Sequence, residues 1–143
     1  MADRQVIADF ARSMGIATSG LRAQAGRMRV ISENIANADS TAATAGGDPY
    51  RRKVPTFSSE LDRTLDAQVV TMGKIKPDAT AFRIKHEPGN PAADAAGNVK
   101  YPNVNPLVEM TDMRDAQRSY EANLNIISAT RRMIQRTLDI LKT

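Results

Sequence analysis

A chain of 143 residues suits one domain, or one helical body with a small insertion, and is too short for a two-domain enzyme with a cleft between its halves. Hydrophobic residues make up 41% but aromatics only 4%, with neither Trp nor Cys, which argues against a thick self-sufficient core and excludes disulfides, thiolate metal sites and cysteine nucleophiles. The net charge of +4 is carried by Lys and Arg interleaved with Asp and Glu along the chain, so the clustered cations that nucleic acid requires are missing.

The opening segment, MADRQVIADFARSMG, carries acids and lacks the apolar core of a secretory signal, and no later run approaches a membrane span. Neither a Sec signal nor a transmembrane helix is expected. From Ile7 the apolar residues step by seven through Met14, Leu21, Met28 and Ile35, with Phe10, Ala17 and Ile31 offset by three. Polar residues fall mostly between these rows, and no Pro occurs before Pro49, so the spacing predicts a helix over about residues 3–37. Asn34 and Asn37 near its end read as helix-ending residues whose side chains can replace backbone hydrogen bonds.

Residues 39–105 hold all the prolines but Pro106, together with the turn signals Gly46-Gly47-Asp48, Pro88-Gly89-Asn90-Pro91 and Gly97-Asn98. Alternating runs at Tyr50–Phe57, Ala81–His86 and Asn98–Tyr101 predict a few strands or hairpins, and Glu60–Val70 is compatible with a helical turn. This is a loop and short-strand insert. Asn105-Pro106 then signals a helix start, with Asn as cap and Pro at the first helical position. Met113, Tyr120, Ile127, Ile134 and Leu141 step by seven, with Met110, Leu124 and Leu138 alongside, and predict a second helix over about 106–142.

The expected architecture is therefore mainly α: long helices at 1–38 and 106–143 paired as a coiled-coil-like hairpin, with a small β-rich insert at 39–105. A two-helix hairpin leaves the flanks of each stripe wet, so further helices must come from other chains, and the ends order on assembly. The candidate interface comprises Ile7, Phe10, Met14, Leu21, Met28, Ile31, Asn34, Ile35 and Asn37 in the first helix. Met113, Tyr120, Asn123, Leu124, Ile127, Ile134, Leu138 and Leu141 supply the second. Arg131, Arg132, Arg136 and Lys142 gather near its end, either as a solvated basic face or to meet acids on a neighbouring chain.

No constellation for catalysis emerges. The single His86 lies in an alternating run and reads as a surface or packed histidine; Glu87 and Asp94 near it lack metal-ligand spacing. Gly46-Gly47 has no phosphate-loop context, and Ser13, Ser19, Ser32 and Ser128 have no base beside them. No enzyme activity, cofactor, metal or small-molecule substrate is expected. A coiled-coil regulatory or nucleic-acid-binding protein is the remote alternative from another class.

ISENIANADST at 31–41 after a heptad helix, followed by NPLVEMTDMRDAQRSYEANLNII at 105–127, resembles the rod and hook family of bacterial flagellar axial proteins. Asn34, Ile35, Ala36 and Asn37 meet its Asn-[Leu/Ile]-Ala-Asn motif, and Tyr120, Ala122 and Asn123 its Tyr-x-Ala-Asn motif. GGDPYRRK at 46–53 and HEPGNPAADAAGNVKYPNVNPLVEM at 86–110 look like the C-type proximal rod subunits of that family, while Ser40–Gly47 departs from the Thr-x-Gly-Tyr turn of many relatives. The resemblance implies a structural subunit exported unfolded through the flagellar type III apparatus. It would polymerise in the basal-body rod, in the periplasmic space, with copies of itself, other rod subunits, the inner-membrane ring and a rod-base adaptor. It also implies that Phe10 and Met14, a Phe-x-x-x-apolar pattern, are read by the export gate. Another rod or hook axial subunit is the alternative within the family.

Overall fold

The computed structural model describes residues 2–142, and the side chains of all of these but residues 2, 3 and 141. Among the described residues, helix α1 (Ala2–Ala36) and helix α2 (Pro106–Leu141) flank, in chain order, six short strands: β1 (Lys53–Val54), β2 (Phe57–Asp62), β3 (Ala67–Met72), β4 (Lys76–Pro77), β5 (Arg83–His86) and β6 (Asn98–Tyr101). At 35 and 36 residues the helices make up about half of the 143-residue chain, so the description as mainly α is too strong.

Both helix ends follow from local chemistry. Asn105 Oδ1 accepts a hydrogen bond from the Leu107 amide at 3.1 Å and the Asn105 carbonyl accepts one from Glu109, with Pro106 at the first helical position. At the other end the Asn37 side-chain amide donates to the Glu33 carbonyl at 2.9 Å, beside its own backbone bond to the same oxygen. One of the carbonyls orphaned where α1 stops is thereby satisfied.

The strands form three two-stranded antiparallel ribbons, β1–β4, β2–β3 and β5–β6. The longest pairs Phe57 with Met72 and Asp62 with Ala67. Its turn is set by Asp62, whose carboxylate accepts the Thr64 and Leu65 amides, and by Asp66 in the left-handed region at φ 48°. Glu60–Val70 is thus a hairpin and not a helical turn. Leu61, Leu65 and Val69 have helical spacing, but Asp62 and Asp66 favour a tight reversal and the ladder with β3 decides the outcome.

The chain divides into two compact units. The first contains α1 up to Arg27, Phe57–Gly73 and α2 from Asp115 onward; the second contains Met28–Thr56 and Lys74–Arg114. In the first, Gly15, Gly20 and Gly26 let other elements approach α1. A Cβ on Gly15 would lie 2.3 Å from Leu65 Cδ1, one on Gly26 2.3 Å from Met72 Sδ, and one on Gly20 2.7 Å from Asn123 Nδ2. The Val70 amide donates to Ser19 Oγ at 3.2 Å, so the hairpin and α2 both lie against α1 here. In the second, Val30, Ile31, Ala38, Ala92, Val99 and Val104 form a small apolar core.

Candidate assembly interface

The second unit is closed around a polar centre. Asn34 is fully buried and uses its whole hydrogen-bonding capacity: Nδ2 donates to the Lys53 carbonyl at 2.8 Å and to Glu109 Oε2 at 3.1 Å. Its Oδ1 accepts from the Tyr50 hydroxyl at 2.8 Å and the Lys53 amide at 2.9 Å. Glu109, equally buried, is countered by Arg52 Nε, and the same guanidinium reaches Asp78 at 3.3 Å and Asp112 at 3.8 Å. A charge buried in this way is tolerated because it is paired and hydrogen-bonded. Glu109 also sits in the first turn of α2, where the helix dipole favours an anion.

The surroundings tune this centre. Burial, with the Glu33 and Glu109 carboxylates nearby, pushes the Tyr50 hydroxyl up to about 12. Hydrogen bonds from the Thr80 amide and hydroxyl, and then Arg52, hold Asp78 below the usual carboxylate range. Asn103 ties the Arg52 amide to the Asp78 and Thr80 carbonyls, Arg51 lies 4.1 Å over the Phe82 ring, and Lys53 pairs with Glu33. His86 is exposed and faces Asn98 Oδ1 at 3.3 Å. Among the described residues no cluster of three metal-ligating side chains occurs.

The first unit is the opposite case. Its buried residues among those described are Ala17, Ala23, Ala116 and Thr130, all small. Val6, Ile7, Phe10, Ala11 and Met14 of α1 and Ile134, Thr137 and Leu138 of α2 line an apolar groove of about 270 Å³. Ile7 is 64% exposed, and Val6, Ile16, Leu124, Ile126, Met133 and Leu138 lie between 41% and 49%. Contiguous exposed apolar surface of this kind is uncommon on monomeric soluble proteins and marks interaction sites.

The residues singled out in the sequence sort themselves accordingly. Phe10, Met14, Leu21, Tyr120, Asn123, Ile127 and Ile134 are half-buried in the first unit, where Ile7, Leu124 and Leu138 are exposed. Met28, Ile35, Asn37 and Met113 are half-buried in the second unit, and Ile31 and Asn34 are buried in it. The side chain of Leu141 lies outside the described residues. Tyr50, Arg52, Lys53 and Glu109 lie within the GGDPYRRK and NPLVEM segments that carry the resemblance, but nothing in their spacing marks them as one polar centre, because α2 meets the other three only through the fold. Ile126 and Met133 do have a sequence signal, a step of seven, which the stronger row through Tyr120, Ile127 and Ile134 masks.

Residues 14–43 match a family model described as flagella basal body rod protein, and residues 95–140 one described as flagellar basal body rod FlgEFG protein C-terminal. The chain is 54% identical over 127 residues to the flagellar basal-body rod protein FlgC of Agrobacterium fabrum, covering 89% of this chain and 91% of that one. It is 38% identical to FlgC of Bacillus subtilis, covering 91% and 97%, and 37% identical to FlgC of Salmonella typhimurium, covering 87% and 92%.

Proposed function

Since this chain belongs to the FlgC family of flagellar basal-body rod proteins, which is structural and not enzymatic, we propose that it is a proximal rod subunit that polymerises through its terminal helices. The observation that carries this reading is the mismatch inside the first unit: small residues buried, large apolar ones on both helices exposed. Each large side chain removed from water stabilises by about 1.5–3 kcal/mol, so α1 and α2 gain most where other helices cover them. The groove lined by Phe10, Met14, Ile134 and Leu138 supports a coiled-coil-like pairing of the two helices within a subunit.

The partners are other copies and other rod subunits, with the inner-membrane ring and a rod-base adaptor below, at a periplasmic position in the basal body. The helical segments 1–38 and 106–143 act as the assembly domain and 39–105 as the joining insert. Export in an unfolded state through the type III gate, with Phe10 and Met14 as the recognised pair, suits a chain without Cys whose first unit has so little core. Replacing Leu124 and Ile127 by Asp tests the reading: swimming should be lost and basal bodies should lack a rod beyond this subunit. A motile double variant would overturn it. In the purified monomer, amides of α1 before Arg27 should exchange faster than those around Asn34; equal protection would remove assembly-coupled ordering.

A further inference from the structure

In the first unit the β2–β3 hairpin is fastened along one face of α1. Leu65, Val70 and Met72 meet Gly15, Ser19 and Gly26 in that order, so β3 runs beside α1 in the same direction. Gly15, Ser19, Arg22 and Gly26 are three or four residues apart and share a helix face. The turn is held by Arg12, whose Nε donates to the Leu65 carbonyl at 2.9 Å and whose guanidinium reaches Asp66 at 3.3 Å. The open end, where Phe57 pairs with Met72, is held differently. There the Met72 sulfur occupies the notch left by the missing side chain of Gly26, so closely that a Cβ would lie 2.3 Å from Sδ. Met72 is half-buried and lines an open groove of about 520 Å³ with Ser19, Arg22, Glu60 and Leu61. The thioether is thus packed against α1 and also borders a space that small solutes can enter.

We propose that Met72 is an oxidation site whose sulfoxide releases the open end of the hairpin from α1. A lone pair of Sδ attacks one oxygen of a hydroperoxide; the S–O bond forms as the O–O bond breaks, and the leaving oxygen takes up the proton of the transferred hydroxyl. Sulfur loses two electrons to the peroxide, giving methionine sulfoxide and an alcohol, or water where the oxidant is hydrogen peroxide. The product no longer suits the notch. Its oxygen is a strong acceptor, while the backbone amides of α1 around Gly26 are spent on the helix ladder, so a sulfoxide kept in place would be buried without a donor. Turned outward it enters the groove that Arg22 also lines, and among the described residues Arg22 makes no ion pair. That turn carries the sulfur off Gly26. Met110 and Met133, 50% and 49% exposed, fill no glycine notch, so their oxidation removes no such contact.

In the test, the purified full-length chain is treated with hydrogen peroxide. Sulfoxide at each methionine is read by peptide mass spectrometry, and short-time hydrogen exchange is followed over Phe57–Gly73. Met110 and Met133 should oxidise first and leave the hairpin unchanged. Oxidation of Met72 should then raise hairpin exchange about tenfold, with the amides around Asn34 unaffected, and methionine sulfoxide reductases should reverse the rise. Met72→Leu should hold exchange constant through the same treatment, and Gly26→Ala, which fills the notch, should raise it with no peroxide. The inference is overturned by a Met72 that stays a thioether once Met110 and Met133 are fully converted, or by a Met72 sulfoxide with unchanged exchange. An equal rise in Met72→Leu, or a Gly26→Ala hairpin as protected as the wild type, also overturns it. If Met72→Leu loses helicity by circular dichroism, the wild type decides alone, by whether Met72 sulfoxide and hairpin exchange rise together. None of these outcomes involves a rod, so failure here leaves the assembly reading standing.

Discussion

The two units solve the problem of a scarce core in opposite ways. Around Asn34 the chain closes on itself, and every donor and acceptor of that amide is used within about twenty residues on one side and by α2 on the other. Along the first unit the same two helices bury alanines and leave isoleucine, leucine and methionine in contact with water. On the assembly proposed above, the closed unit holds a defined shape by itself while the open one, which includes the Phe57–Gly73 hairpin, leaves apolar helix surface for neighbours.

The sharpest way to break this comparison is to open the closed unit. Glu109→Ala leaves the buried Asn34 amide short of an acceptor and Arg52 with only Asp78 and Asp112, and should cost about 3 kcal/mol in urea unfolding of the purified chain. Asn34→Leu orphans the Tyr50 hydroxyl and the Lys53 amide and should cost about 2 kcal/mol by the same measurement.

Tyr50→Phe removes one hydrogen bond, worth about 1 kcal/mol, and with it a pH dependence. Because the folded state holds the Tyr50 proton up to about 12 against an ordinary 10, its stabilising contribution is complete below pH 10 and fades as pH rises toward 12. Unfolding midpoints taken across that window should fall more steeply in the wild type than in the Phe variant; parallel curves would remove Tyr50 as the source. The smallest effect on the monomer should come from the open unit: Ile126→Asp, at a side chain 45% exposed and away from the groove between the helices, should move monomer stability by less than about 0.5 kcal/mol. A large loss there would mean that the first unit is as self-contained as the second.

The two helices were legible from residue patterns alone, because a seven-residue apolar step, the absence of Pro before Pro49 and the Asn105-Pro106 start act locally. The ends fall at Ala36 and Pro106, against an expected 37 and 106. The β2–β3 hairpin was not legible, since Leu61, Leu65 and Val69 satisfy a helical period as well as Phe57–Asp62 satisfies a strand, and only pairing with Ala67–Met72 separates the two. Nor was the Asn34 centre: Asn34 and Glu109 are 75 positions apart, and hydrogen bonds over such a separation leave no periodic trace.

What the sequence determined by itself is periodic or local: two amphipathic helices, their caps, the turn-rich insert and the flagellar rod resemblance. The tertiary structure alone decided which polar residues are buried and how the chain divides. Burial depends on which distant segments meet, and a buried amide or carboxylate is tolerated only where those segments supply its partners.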